Sequence, residues 1–151
     1  MIQLNITALT SLCRLFLPEM MARKSGKILN VASTAAFQPG PFMAVYFATK
    51  AYVLSLSEAL SEETRHTGVT VSALCPGPTK TSFQNRAGAD KTEIFKNNGV
   101  MNARSVAEIA YAGLMKNKRI IIPSWRHKII IQLLRVCPRA LTTKIMRNIL
   151  L

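Results

Sequence analysis

Apolar positions fall into two rhythms along the chain. From Met1 to about Arg23 they recur at three- and four-residue steps, at Ile2, Leu4, Ile6, Leu9, Leu12, Cys13, Leu15, Phe16 and Met20. That spacing predicts a helix, ended by Ser25-Gly26. Lys27 to Ala32 (KILNVA) is a short apolar, β-branched run bounded by Gly26 and Ser33, the pattern of a buried strand. Thr34 to Met43 holds Pro39, Gly40 and Pro41 and reads as a loop. Helical spacing returns from about Ala44 to Thr67 and stops at Gly68. Val69 to Leu74 (VTVSAL) is a second buried strand, running into the hard turn Cys75-Pro76-Gly77-Pro78.

Lys80 to Val100 is polar and irregular and predicts a long loop, with or without a short helix. Ser105 reads as a helix N-cap, with Glu108 completing a capping box ahead of a helix to about Lys116. Arg119 to Ile122 (RIII) is a third short strand, stopped by Pro123. Trp125 to Leu151 is a basic amphipathic stretch split by Pro138 into two helical pieces. Helices and strands alternate throughout, which predicts an α/β fold with a parallel sheet under helices. In such sheets ligands bind beyond the carboxyl ends of the strands. Ser33 closes the first strand and Pro76-Gly77 the second, so both lie on one rim. Tyr46 and Lys50 open the helix between them.

A length of 151 residues suits one domain. The 49% hydrophobic content excludes a disordered chain. Net charge is +13 and uneven: the last 36 residues carry nine Lys or Arg and no acid. Such a segment can meet a membrane surface, nucleic acid or an acidic partner. Cys13, Cys75 and Cys137 are odd in number and far apart, which suggests neither a disulfide framework nor a zinc site. A reducing cytosol is the default compartment. Met1 opens no basic n-region and no cleavage site follows, so no signal peptide is read, and no apolar run reaches the length of a membrane span.

The candidate chemistry lies in Ser33 to Lys50. Tyr46 and Lys50 are four apart, so on a helix they share a face. A nearby ammonium favours the phenolate, which an acid/base tyrosine requires near neutral pH. Ser33 could hydrogen-bond the same substrate oxygen. Each residue also has a plainer reading: Tyr46 half buried against the core, Lys50 solvated, Ser33 a turn or N-cap serine with Thr34 as competitor. His66 and His127 have no carboxylate or cysteine at ligand spacing and read as surface residues, and Cys75 as a small buried apolar one.

Taken together, Asn30-Val31-Ala32-Ser33, Tyr46-x-x-x-Lys50 and Pro76-Gly77-x-x-x-Thr81 resemble the classical short-chain dehydrogenase/reductase superfamily. The resemblance covers residues 1 to about 122 and implies a partial Rossmann-like doubly wound parallel sheet of about three strands. Residues 123–151 form a basic amphipathic tail. It implies an NAD(P)-dependent oxidoreductase that interconverts a carbonyl and a secondary alcohol. Tyr46 would be the general acid or base. Lys50 would lower the tyrosine pKa and bind the nicotinamide ribose. Ser33 would orient the substrate oxygen, and Asn5 would hold a water behind Lys50. Pro76, Gly77, Thr79 and Thr81, with Tyr46 and Lys50, would contact NAD or NADP. Phe42 and Phe83, with Ser33, would meet a small hydrophobic substrate.

One departure is large. The family's Gly-rich G-x-x-x-G-x-G turn, which holds dinucleotide phosphates at a helix N-terminus, does not occur in these 151 residues. The sequence therefore reads as the family's carboxyl-terminal catalytic half, a fragment inactive alone. The alternative is a non-enzymatic membrane-peripheral or interaction module that kept the fold's residues. Pairing of copies through helices 1–23 and 44–67 is implied by the resemblance alone. The tail reads either as a solvated helix face packed on the domain or as an interfacial helix on anionic lipid, with Leu141, Ile145 and Ile149 as its stripe and Trp125 as anchor. No aromatic platform accompanies its charge, so nucleic acid is not expected. The implied location is the cytoplasm or the periphery of a membrane.

Overall fold

The computed structural model describes residues 1–81 and 100–150. The first helix opens with a π-helical segment, Gln3–Ala8, and continues as α1 (Leu9–Ala22). Then come β1 (Gly26–Val31), a 3-10 turn (Thr34–Phe37), α2 (Ala44–Glu63) and β2 (Val69–Leu74). The short strands β3 (Thr79–Lys80) and β4 (Met101–Asn102) precede α3 (Ala103–Met115) and β5 (Ile120–Ile121). Two helices close the chain, α4 (Trp125–Val136) and α5 (Arg139–Leu150), broken at Pro138.

The main sheet has the order β1-β2-β5 and is parallel throughout. β1 and β2 pair over six rungs, from Gly26↔Val69 to Val31↔Leu74. β2 is the central strand and is buried on both faces, with small side chains, Ser72 and Ala73, between its valines and Leu74. Alternate residues serve opposite layers. Val69 and Val71 pack with Cys13 and Leu17 of α1, and Ala73 packs with Val53 and Leu54 of α2. Leu74 faces the other way, onto Val106 and Ala110 of α3. Helices therefore cover both faces, the doubly wound arrangement that the family resemblance implied. β1 stands at the sheet edge.

Three local readings change. The third strand pairs over two residues only, Ile120 and Ile121. α2 ends at Glu63, and the chain then turns to Gly68, whose φ of +79° and contact with the Lys24 carbonyl oxygen exclude any Cβ. The N-cap of α3 is Asn102, whose side chain accepts from the Arg104 N–H, whereas Ser105 lies inside the helix. Glu108 pairs with Arg104 at i, i+4 instead of closing a capping box.

Candidate active site

β1 and β2 end side by side, and their continuation builds the rim. The Ala32 N–H donates to the Leu74 carbonyl at 2.8 Å, and the Thr34 N–H to the Pro76 carbonyl at 2.9 Å. Ser33 sits between these bonds in extended backbone. Its Oγ accepts from the Ala35 N–H at 3.1 Å, capping the 3-10 turn, and donates to the Pro76 carbonyl at 3.5 Å. The cap and the candidate catalytic serine are thus one residue.

Tyr46 and Lys50 come from the first turns of α2. The Lys50 ammonium lies 5.9 Å from the Tyr46 ring centroid and donates to the Val31 carbonyl at 2.9 Å. Burial raises the Tyr46 pKa above 10.0, and the nearby Ser33 hydroxyl pulls weakly against it. Water is kept from the ring by its neighbours Phe47, Met146 and Leu150, and desolvation disfavours the phenolate. Burial lowers the Lys50 pKa, and burial pushes the neighbouring Cys75 thiol up to about 12.

Asn5 lies in the π-helical segment, a geometry that concentrates at functional positions. Its Nδ2 donates to Thr49 Oγ1 at 3.0 Å, and that hydroxyl donates to the Tyr46 carbonyl at 2.8 Å. Asn5 is thereby tied to the turn of α2 that carries both Tyr46 and Lys50.

Ser33, Tyr46, Lys50, Asn5, Pro76, Gly77, Thr79 and Thr81 all line one cleft of about 920 Å³. Phe42 does not line it. It adopts a left-handed φ of 66° and is exposed. Phe83 lies outside the described residues. Two features of the tail were not read from sequence. His127 is half-buried and not a free surface residue: its ring lies against Gly77, its Nδ1 is buried without a hydrogen-bond partner among the described residues, and partial burial lowers its pKa. Met146 and Leu150 of α5 pack on Ala35 and Phe47 beside Tyr46. The signal for His127 was present, since His127, Ile131 and Leu134 stand at i, i+4 and i+7 and all line the cleft.

Residues 1–92 match the short chain dehydrogenase family. The chain belongs to that family. Within it, the chain is 38% identical over 117 residues to the ketoacyl reductase HetN of Nostoc, covering 76% of this chain and 39% of that one. It is 31% identical over 133 residues to the very-long-chain 3-oxoacyl-CoA reductase of Rattus norvegicus, covering 83% and 42% respectively. A short-chain dehydrogenase from Sphingobium yanoikuyae, solved in complex with NADPH, superposes with a TM-score of 0.75 at 31% identity, over 92% of this chain and 56% of that one. The chain thus spans less than half the length of these two curated relatives.

Proposed function

We propose that this chain carries the acid/base half of a nicotinamide-dependent oxidoreductase site that interconverts a carbonyl and a secondary alcohol. The observation that carries the reading is the convergence of Ser33, Tyr46 and Lys50 on one cleft beside the Pro76–Gly77 turn. Tyr46 holds its proton at neutral pH and delivers it to the substrate oxygen in reduction. In oxidation it takes the proton back. Ser33 holds that oxygen in place. Lys50 offers its ammonium to the ribose side of the cleft, and Asn5 with Thr49 fixes the turn from which Tyr46 and Lys50 project.

The residues present suit the nicotinamide end of NAD or NADP, where Gly77, Thr79 and Thr81 supply backbone and hydroxyl groups. The cofactor supplies or accepts the hydride when bound. The solved Sphingobium relative holds NADPH, which supports this cofactor class. No Gly-rich phosphate turn occurs in the 151 residues, so in this reading the chain alone does not turn over. The inner faces of α4 and α5, with Ile130, Leu134, Met146 and Leu150, wall the cleft with apolar surface and favour a hydrophobic substrate. Exposed Leu12, Leu15 and Phe16 on α1 support pairing of copies through the first and second helices.

The test compares this chain with a longer polypeptide that carries a Gly-rich βαβ unit ahead of it. Nicotinamide fluorescence should report tight NAD(P)H binding only in the longer form. There, Tyr46→Phe should keep cofactor binding and lose about 10²–10⁴-fold in carbonyl reduction. Full activity of the Tyr46→Phe protein would overturn the reading.

A further inference from the structure

The tail helices present two different faces. Ile131 and Leu134 of α4 turn inward to the cleft. Trp125, Ile129, Leu133 and Val136 stand at i, i+4, i+8 and i+11, which places them on one side of α4. They are 65%, 52%, 61% and 82% exposed. On α5, Thr142, Met146 and Leu150 are buried and Ile149 borders the cleft, while Leu141 and Ile145 remain exposed outside it. Contiguous apolar surface of this kind marks an interaction face.

The surrounding charge says which kind. Residues 123–151 contain six Lys or Arg and no Asp or Glu. Lys128 and Arg135 share a row along one flank of the α4 stripe, and Arg126 stacks over the Trp125 ring at 5.6 Å on the other. Among the described residues, none of the six meets a carboxylate. A second copy of this face would bring like charges together, which opposes association. Nucleic acid would engage the cations and leave the apolar stripe in water. An anionic lipid surface satisfies both features, with Trp125 at headgroup depth. Among the described residues no helix is long and apolar enough to cross a membrane.

We propose that the outer face of α4, continued by Leu141 and Ile145 of α5, docks this chain on an anionic lipid surface. The helices lie in the interface plane, with the cleft on their inner side. The proposal does not rest on the reductase reading, because lipid binding is measured without cofactor or substrate.

The experiment uses the full 151-residue chain in vesicle flotation. Vesicles are either phosphatidylcholine alone or phosphatidylcholine mixed with phosphatidylglycerol. Binding should occur on the mixed vesicles, weaken with salt, and shift the emission of the single tryptophan, Trp125, to the blue. Lys128→Gln and Arg135→Gln should each lower partitioning about fivefold. Leu133→Glu, at an exposed position, should abolish binding while circular dichroism stays unchanged. Absence of binding to the anionic vesicles overturns the proposal. So does equal binding to both compositions, or self-association in solution that Leu133→Glu removes.

Discussion

The Lys50 ammonium donates to the carbonyl of Val31, the last residue of the edge strand, at 2.9 Å. The cation thus ties α2 to the end of β1 while standing beside the Tyr46 ring. Both groups are shifted by burial, and their effects on stability have opposite signs. The Tyr46 pKa is raised, so its contribution is present below pH 10.0 and is lost as pH rises through the folded-state value. The Lys50 pKa is lowered, so the cost of burying its charge fades as pH climbs toward 10.5. Urea denaturation across the alkaline range should therefore show Tyr46→Phe losing less stability with rising pH than the parent. Lys50→Met should lose more. The near-ultraviolet phenolate signal that disappears in Tyr46→Phe should titrate above 10.0.

The Asn5–Thr49 hydrogen bond should be measurable as a coupling. Thr49 is fully buried, and its hydroxyl serves both Asn5 and the Tyr46 carbonyl. Thr49→Val should cost about 1–2 kcal/mol, the range for a lost buried hydrogen bond plus an unsatisfied partner. In a double-mutant cycle with Asn5→Ala, the interaction energy should be about 0.5–1.5 kcal/mol. Thr49→Ser should recover most of it. Additive single effects would show that the two side chains act independently.

Gly77 and His127 set a steric limit on the turn after β2. A Cβ on Gly77 would stand 2.5 Å from His127 Cε1. Gly77→Ala should cost about 1–3 kcal/mol as overpacking, and His127→Ala should relieve part of that in the double variant, read by thermal denaturation. Partial burial of the His127 imidazole holds its pKa below 6.5. Its contribution to stability is present above 6.5 and is lost as pH falls through the folded value. His127→Ala should accordingly flatten the loss of stability on mild acidification.

The three cysteines should separate by reactivity. Cys13 and Cys75 are buried, and Cys137 is partly accessible. With its pKa at about 12, Cys75 offers almost no thiolate at neutral pH. Iodoacetamide on the native chain, followed by peptide mass spectrometry, should label Cys137 first and Cys75 only on unfolding.

Sequence made the sheet legible because each long strand is an apolar run stopped by glycine, serine or proline. Ser33, Tyr46, Lys50 and the Pro76-Gly77 turn then fell on one rim, and the structure brings them to one cleft. Other features depend on tertiary context. Asn102 and Ser105 are both good caps. Asn102 takes the role because pairing with Lys80 holds it in extended backbone, the conformation a cap needs. The Tyr46 pKa depends on Met146 and Leu150, a hundred residues downstream, and no local pattern joins them. The α5 stripe was ambiguous for a related reason. Leu141, Ile145 and Ile149 run beside Thr142, Met146 and Leu150 at the same spacing, and the second row is the one buried.

The six rungs between β1 and β2 also say where this molecule tolerates changes in length. Ser33 and Pro76 each stand two residues past the last rung, Val31↔Leu74. One residue deleted inside either strand would turn every later side chain to the opposite face. It would carry the Pro76 carbonyl away from Ser33 and turn Cys75 out of its core. A residue added at the exposed turn near His66 changes neither count. The strand pair is a ruler with the proton-transfer groups at its end, and variation in chain length is confined to the gaps between marks.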